Sequence, residues 1–189
     1  MFQRFAQSFS PIRIKRIGRW ILIGVLIGVV SGFGAIAFNF LLRTGTQFFM
    51  RDLATLLLPR ELDQNSFFGI PFSRWMILWI PGLGGFLAGV VVFLFAPEAE
   101  GHGTDAMIES FHRKKGIIRK RVPVVKTIAS AITIGSGGSA GKEGPIAQIG
   151  SGFASLLASL LKMDQRDRRI MLLAGAAGGI GAIFKAPLG

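Results

Sequence analysis

Residues 135–149 read GSGGSAGKEGPIAQI. Lys142 and Glu143 stand among glycines, between the apolar stretches VPVVKTIASAITI (122–134) and IAQIGSGFASLLASLL (146–161). Short hydrophobic segments interrupted by glycine are the pattern of broken membrane helices that meet near the bilayer midplane. Non-helical backbone at that depth must be buried in protein or line a watery cavity. Pro145 predicts a helix start, because a proline at the first helical position lacks an N–H that would be unpaired anyway. The open donors and positive dipole end of that helix attract anions. Glu143 falls immediately before it. Its carboxylate can fill the anion site itself and leave on protonation, so that a solute anion takes its place. A charge within a membrane costs at least about 2.5 kcal/mol on insertion scales, which makes an intramembrane glutamate a functional candidate by default.

The rest of the 189-residue chain supports the membrane reading. Half of its residues are hydrophobic and mean hydropathy is +0.52. Trp20–Leu42 and Trp75–Pro97 carry no charge, and each exceeds the roughly 20 residues a helix needs to cross a bilayer core. Both are expected to span. The first is too long for the core of a secretory signal, and no small-residue cleavage site precedes a polar region. Small residues Gly28, Gly32 and Ala35 are spaced for close packing of another helix. With no cysteine and two histidines, His102 and His112, no metal site is expected.

Net charge is +12. In a membrane protein this excess marks cytoplasmic loops. Arg4, Arg13, Lys15, Arg16 and Arg19 precede the first span without a negative charge, which places the N-terminus in the cytoplasm. Residues 1–19 read as a basic, amphipathic leader at the membrane surface, and 43–74 as an outer connector. The segment RKKGIIRKR (113–121) is a cytoplasmic return. Aromatic residues for base stacking are missing from these basic loops, so nucleic acid is not an expected partner.

Lookalikes of the glycine-rich stretch fail. A Walker A loop would need glycine at Ser136 and a hydroxyl at Glu143. A dinucleotide fingerprint would need a soluble strand–helix setting and an acidic residue at ribose distance, whereas Asp164 and Asp167 lie in a basic turn. A phosphate- or nucleotide-binding membrane enzyme is therefore the weaker alternative.

The motifs resemble one family. GKEGP (141–145) is similar to the Gly-Lys/Arg-Glu-Gly-Pro motif of the CLC chloride channels and proton-coupled chloride exchangers. APEAEGHGTD (96–105) resembles the segment ending in that family's first filter motif, VPVVK (122–126) stands at the family's spacing, and LLAGAAGGIGAIFKAPLG (172–189) resembles the following helix. The resemblance runs from about Trp20 to Gly189. It implies an all-α membrane fold of broken, tilted helices, residues 20–189 being the N-terminal part of an inverted-repeat domain whose second half is not in this chain. It implies transport of chloride or a similar small anion, by conduction or anion/proton exchange, with no chemical bond made or broken and no cofactor beyond the bound anion. Glu143 becomes the gating and proton-transfer residue. Gly141, Lys142, Gly144 and Pro145 form one part of the filter; Gly101, His102, Gly103, Thr104 and Asp105 form another, at the start of a helix through TDAMIESF (104–111). A homodimer in the inner (cell) membrane is implied as well.

Two residues depart from the family pattern. His102 replaces its serine and Asp105 its proline, which leaves open which anion passes. Asp105 is expected to point away and cap its helix. Lys142 is expected on the pathway beside Glu143, and Lys126 is a possible pathway charge. The missing second half keeps a truncated, non-transporting membrane subunit as the alternative function.

Overall fold

The computed structural model describes residues 11–53, 66–67, 70–71 and 74–186. Among the described residues six α-helices carry the fold: α1 Pro11–Thr46, α2 Arg74–Phe95, α3 Thr104–His112, α4 Arg121–Gly135, α5 Glu143–Leu160 and α6 Gln165–Phe184. A π-helical turn, Gln47–Leu53, extends α1, and a two-residue antiparallel ladder pairs Ser66–Phe67 with Ile70–Pro71. The all-α expectation holds.

Large apolar side chains cover the outside of the helices as well as the core. Phe33, Ile36 and Phe40 on α1 are exposed, as are Trp79, Phe86 and Phe93, spaced by seven residues along α2. Ser31, Ser136, Gln148, Ser151 and Ser155 are buried. Apolar faces of this size are unusual on a protein surrounded by water and are what a hydrocarbon solvent requires. Pro81 lies inside α2, where it removes one backbone bond, a loss that spanning helices accommodate.

α5 and α6 pack most closely, because glycines let their backbones touch. A Cβ on Gly150 or on Gly175 would overlap the carbonyl oxygen of the other, and one on Gly179 would lie 2.7 Å from the carbonyl oxygen of Ile146. α1 lies across this pair. Near its start Ile23 and Ile27 meet Ala154, Ala158 and Met171; further along, Ala35 and Phe38 meet Ile146 and Ile149. α2 packs on α4, with Ala96 against Val122 and Val125. The start of α1, the end of α2, the start of α4, the end of α5 and the start of α6 therefore share one end of the bundle. The basic segments 113–121 and 162–169 meet there: Gly116 rests on Arg168 and Arg169, and Arg169 donates to the carbonyl of His112 at 3.4 Å.

Several sequence expectations need correction. The leader and the first span are one helix from Pro11, and that helix continues past residue 42 through the expected connector to Leu53. FLLRTGTQFFM (40–50) supplies enough apolar surface to keep it folded against α4. Residues 1–10 and 54–65 lie outside the described residues. The later segments are also longer than their apolar cores. α6 has 20 residues because Gln165–Arg169 already forms its first turn, capped by Asp164, whose carboxylate accepts from the N–H of Asp167 at 2.8 Å. Such a cap satisfies a donor that the helix itself cannot.

Candidate functional site

Two helix starts meet at one point. α3 begins after Gly103, and its first intrahelical bond runs from Met107 N–H to Gly103 C=O at 3.1 Å. The N–H groups of Thr104, Asp105 and Ala106 are thus without helical acceptors. α5 begins at Glu143; its first bond runs from Ile146 N–H to Lys142 C=O at 3.1 Å. That leaves Glu143 and Gly144 with free donors, while Pro145 has none. Pro145 is therefore the third helical residue rather than the first. The shift costs nothing, since the whole first turn lacks acceptors for its N–H groups.

Glycine is what allows the tips to touch. Gly103 has φ +95°, a conformation that a side chain makes costly. A Cβ there would lie 2.7 Å from the carbonyl oxygen of Gly144 and 2.9 Å from Oε1 of Gln148, and a Cβ on Gly144 would overlap the carbonyl oxygen of His102. Each tip carries roughly half a positive charge, so bringing two together in a low-dielectric setting requires a negative partner.

The partner space is a cavity of about 610 Å³ bounded by α2, α4 and both tips. Gly101, His102, Thr104, Gly141, Glu143, Gly144 and Pro145 line it. Glu143 is exposed into this space, and its carboxylate lies back over Gly141. Gly103 is buried at the joint behind the wall. Asp105 is exposed and outside the cavity, and the helix start has no side-chain cap. It thus points away as expected but does not cap, because Gly103, not Asp105, occupies the cap position. Lys142 is exposed at the cap position of α5 and is not part of the cavity wall; its backbone turns at the tip while its side chain leaves the site.

Lys126 is 5% exposed and lines the cavity. Its Nζ donates to the carbonyl of Ala99 at 3.0 Å and to that of Gly101. Nε2 of buried Gln148 donates to the carbonyl of Glu98 at 3.4 Å. Side chains from α4 and α5 thus hold three carbonyls of the segment entering α3. Because a peptide is planar and trans, fixing the Gly101 carbonyl toward Lys126 turns the N–H of His102 the opposite way.

Sequence reading missed Ser130 and Thr133, which line the cavity on the same face of α4 as Lys126. The spacing 126, 130, 133 is that of one helical face and carried the signal. It also missed Gly85, Ala88 and Gly89, the α2 wall, which small side chains keep open, and Gln148. Among the described residues no group of three or more His, Asp or Glu is placed to hold a metal ion.

Comparison with known proteins agrees with this geometry. The voltage gated chloride channel family model matches residues 84–189. The H(+)/Cl(−) exchange transporter ClcA of Vibrio vulnificus is 31% identical over 188 residues, covering 98% of this chain and 37% of that protein. ClcA of Vibrio campbellii is 30% identical over 169 residues, 88% of this chain and 33% of the relative. The chain thus spans about a third of the length of these relatives. In fold it is similar to a slow cyanobacterial Cl−/H+ antiporter, with a TM-score of 0.62, 24% identity and coverage of 89% of this chain and 36% of that one. The match over more than half of the chain, on a helical scaffold with this joint of helix starts, shows that the chain belongs to the voltage-gated chloride channel family.

Proposed function

We propose that this chain forms the N-terminal part of a membrane transporter for chloride or a similar small anion, its long first helix entering the membrane from the cytoplasmic side. The observation that carries the proposal is the joint of the α3 and α5 starts at one cavity, which two carboxylates line, Glu143 at the α5 start itself and Glu100 in the segment before α3. A small anion in that cavity accepts from the free N–H groups of both tips. These bonds are weak and several, which suits an ion that must leave as well as enter. Glu143, when ionised, competes for the same donors and closes the path; protonation releases it and carries a proton into the exchange cycle. His102 and Thr104 border the anion, and Lys126 supports it by shaping the loop between Glu98 and Gly103.

Membership in a family of channels and exchangers supports transport rather than bond-making chemistry. The relatives named as H(+)/Cl(−) exchangers support chloride and protons as the transported species. A cytoplasmic N-terminus accords with the basic segments gathering at one end of the bundle; the homodimer and the inner membrane belong to the proposal through the family resemblance alone. The test is chloride efflux with simultaneous proton recording, from liposomes holding the full-length protein. Glu143→Gln mimics the protonated gate: flux should lose its pH dependence and proton movement should stop. Wild-type flux and coupling at every pH would overturn the gate assignment.

A further inference from the structure

The basic end of the bundle holds a second cavity that anion transport does not use. It has a volume of about 420 Å³ and lies between the end of α2, the start of α4 and the end of α5. Arg119, Lys120 and Arg121 form one side, all three exposed, and Phe95, Ile117 and Leu156 form the apolar side. Glu98 is the one carboxylate on its wall, and it pairs with Arg119 at 3.0 Å. Lys120 and Arg121 have no carboxylate partner among the described residues.

The charges are placed against the local field. α4 starts at Arg121, has no acidic residue in its first turn and no side-chain cap. Three cations in a row thus crowd the positive end of a helix, where negative groups are the stabilising ones. The loop is nevertheless held firmly. Ser155 Oγ accepts from the N–H of Ile118 at 3.0 Å and donates to the carbonyl of Gly116 at 2.7 Å, fixing the chain just before the cations onto α5. A preformed cationic rim, compensated only at Arg119 by Glu98, therefore stands beside exposed apolar side chains. Phe95 is the last residue of α2, so the rim lies at the level where that apolar helix ends.

We infer that this groove binds an anionic phospholipid from the leaflet it faces. The phosphodiester meets the side chains of Lys120 and Arg121 and the N–H of Arg121, since Val122 N–H already bonds the carbonyl of Arg119 at 3.0 Å and Pro123 has none, while one acyl chain lies along Ile117, Phe95 and Leu156. Charge complementarity selects an anionic headgroup, and the apolar wall selects a lipid over a free anion. The inference relies on the membrane setting but not on anion transport, because its readout involves no flux.

The experiment is native mass spectrometry of the full-length protein released from bilayers of equal phosphatidylglycerol and phosphatidylcholine. Wild type should retain phosphatidylglycerol preferentially. Basic residues near an anionic surface contribute about 1 kcal/mol each, so Lys120→Gln with Arg121→Gln should weaken that preference about 25-fold. Arg113→Gln with Lys115→Gln removes the same charge from the same loop outside the groove and should leave retention intact. Ile117→Asn should lower lipid retention with every charge in place. Equal loss in the two double variants would reduce the effect to general surface attraction and overturn the site. So would the absence of any phosphatidylglycerol preference, or displacement of the lipid by millimolar inorganic phosphate, which would make this a free-anion site.

Discussion

Gly103→Ala is the substitution that bears hardest on the joint of helix starts. The new methyl would stand 2.7 Å from the carbonyl oxygen of Gly144 and 2.9 Å from Oε1 of Gln148. Ordinary contact needs about half an ångström more at each, and overpacking of this kind costs about 1–3 kcal/mol. The residue also keeps φ +95°, a strain of about 1–3 kcal/mol for a residue with a side chain. The backbone relieves both by turning the start of α3 away from Gly144. An anion then loses at least one charge-assisted bond from that tip, about 1.5–3 kcal/mol, which lowers affinity about 10- to 150-fold. Gly101→Ala is the control: its φ is +76°, but a Cβ there meets nothing within 4 Å. It isolates backbone strain from the clash and should lower affinity less. The assay is isothermal titration of chloride into the purified full-length protein, with thermal melting as a check on folding. A folded Gly103→Ala protein that binds chloride as wild type does would refute the reasoning that the two tips must touch.

Other substitutions probe the remaining parts. Lys126→Met leaves the carbonyls of Ala99 and Gly101 without their donor; at about 1–3 kcal/mol for the orphaned buried carbonyl of Ala99, the melting temperature should drop, and Lys126→Arg should restore part of it. Gly175→Ile drives a branched side chain into the backbone of Gly150, and should abolish folded protein on size-exclusion chromatography. Phe86→Asp places a charge on the exposed face of α2 and should raise the apparent insertion free energy of that segment by about 3–4 kcal/mol in a membrane-insertion assay; no change would mean that this segment does not enter the bilayer.

The two long apolar helices and the break in helix at residues 136–142 were legible because they rest on local chemistry: uninterrupted apolar length and glycine. The meeting of Gly103 with Gly144 was expressed in the sequence only through resemblance, since no periodicity links residues 41 positions apart. Pro145 misled by two positions because proline is tolerated throughout a first turn. Lys142 looked like a pathway charge by adjacency to Glu143, yet neighbours on a helix start point in different directions. Lys126 was the reverse case: far from the motif in sequence, it reaches the loop that enters α3 because α4 packs beside it. Ser130 and Thr133 were hidden by their ordinary occurrence in an apolar helix, where a hydroxyl more often bonds its own backbone, as Thr133 does to Ala129 at 2.9 Å.

Bromide diffracts anomalously and replaces chloride in most sites, so crystals of the full-length Glu143→Gln protein grown in bromide locate the anion without reference to any assay of flux. The account predicts an anomalous peak inside the cavity, within hydrogen-bonding reach of the backbone N–H groups at the starts of both α3 and α5, and a weaker peak there in wild type, where the carboxylate competes. Bromide found only on the protein surface, with the space between the two helix starts empty in both proteins, would contradict it.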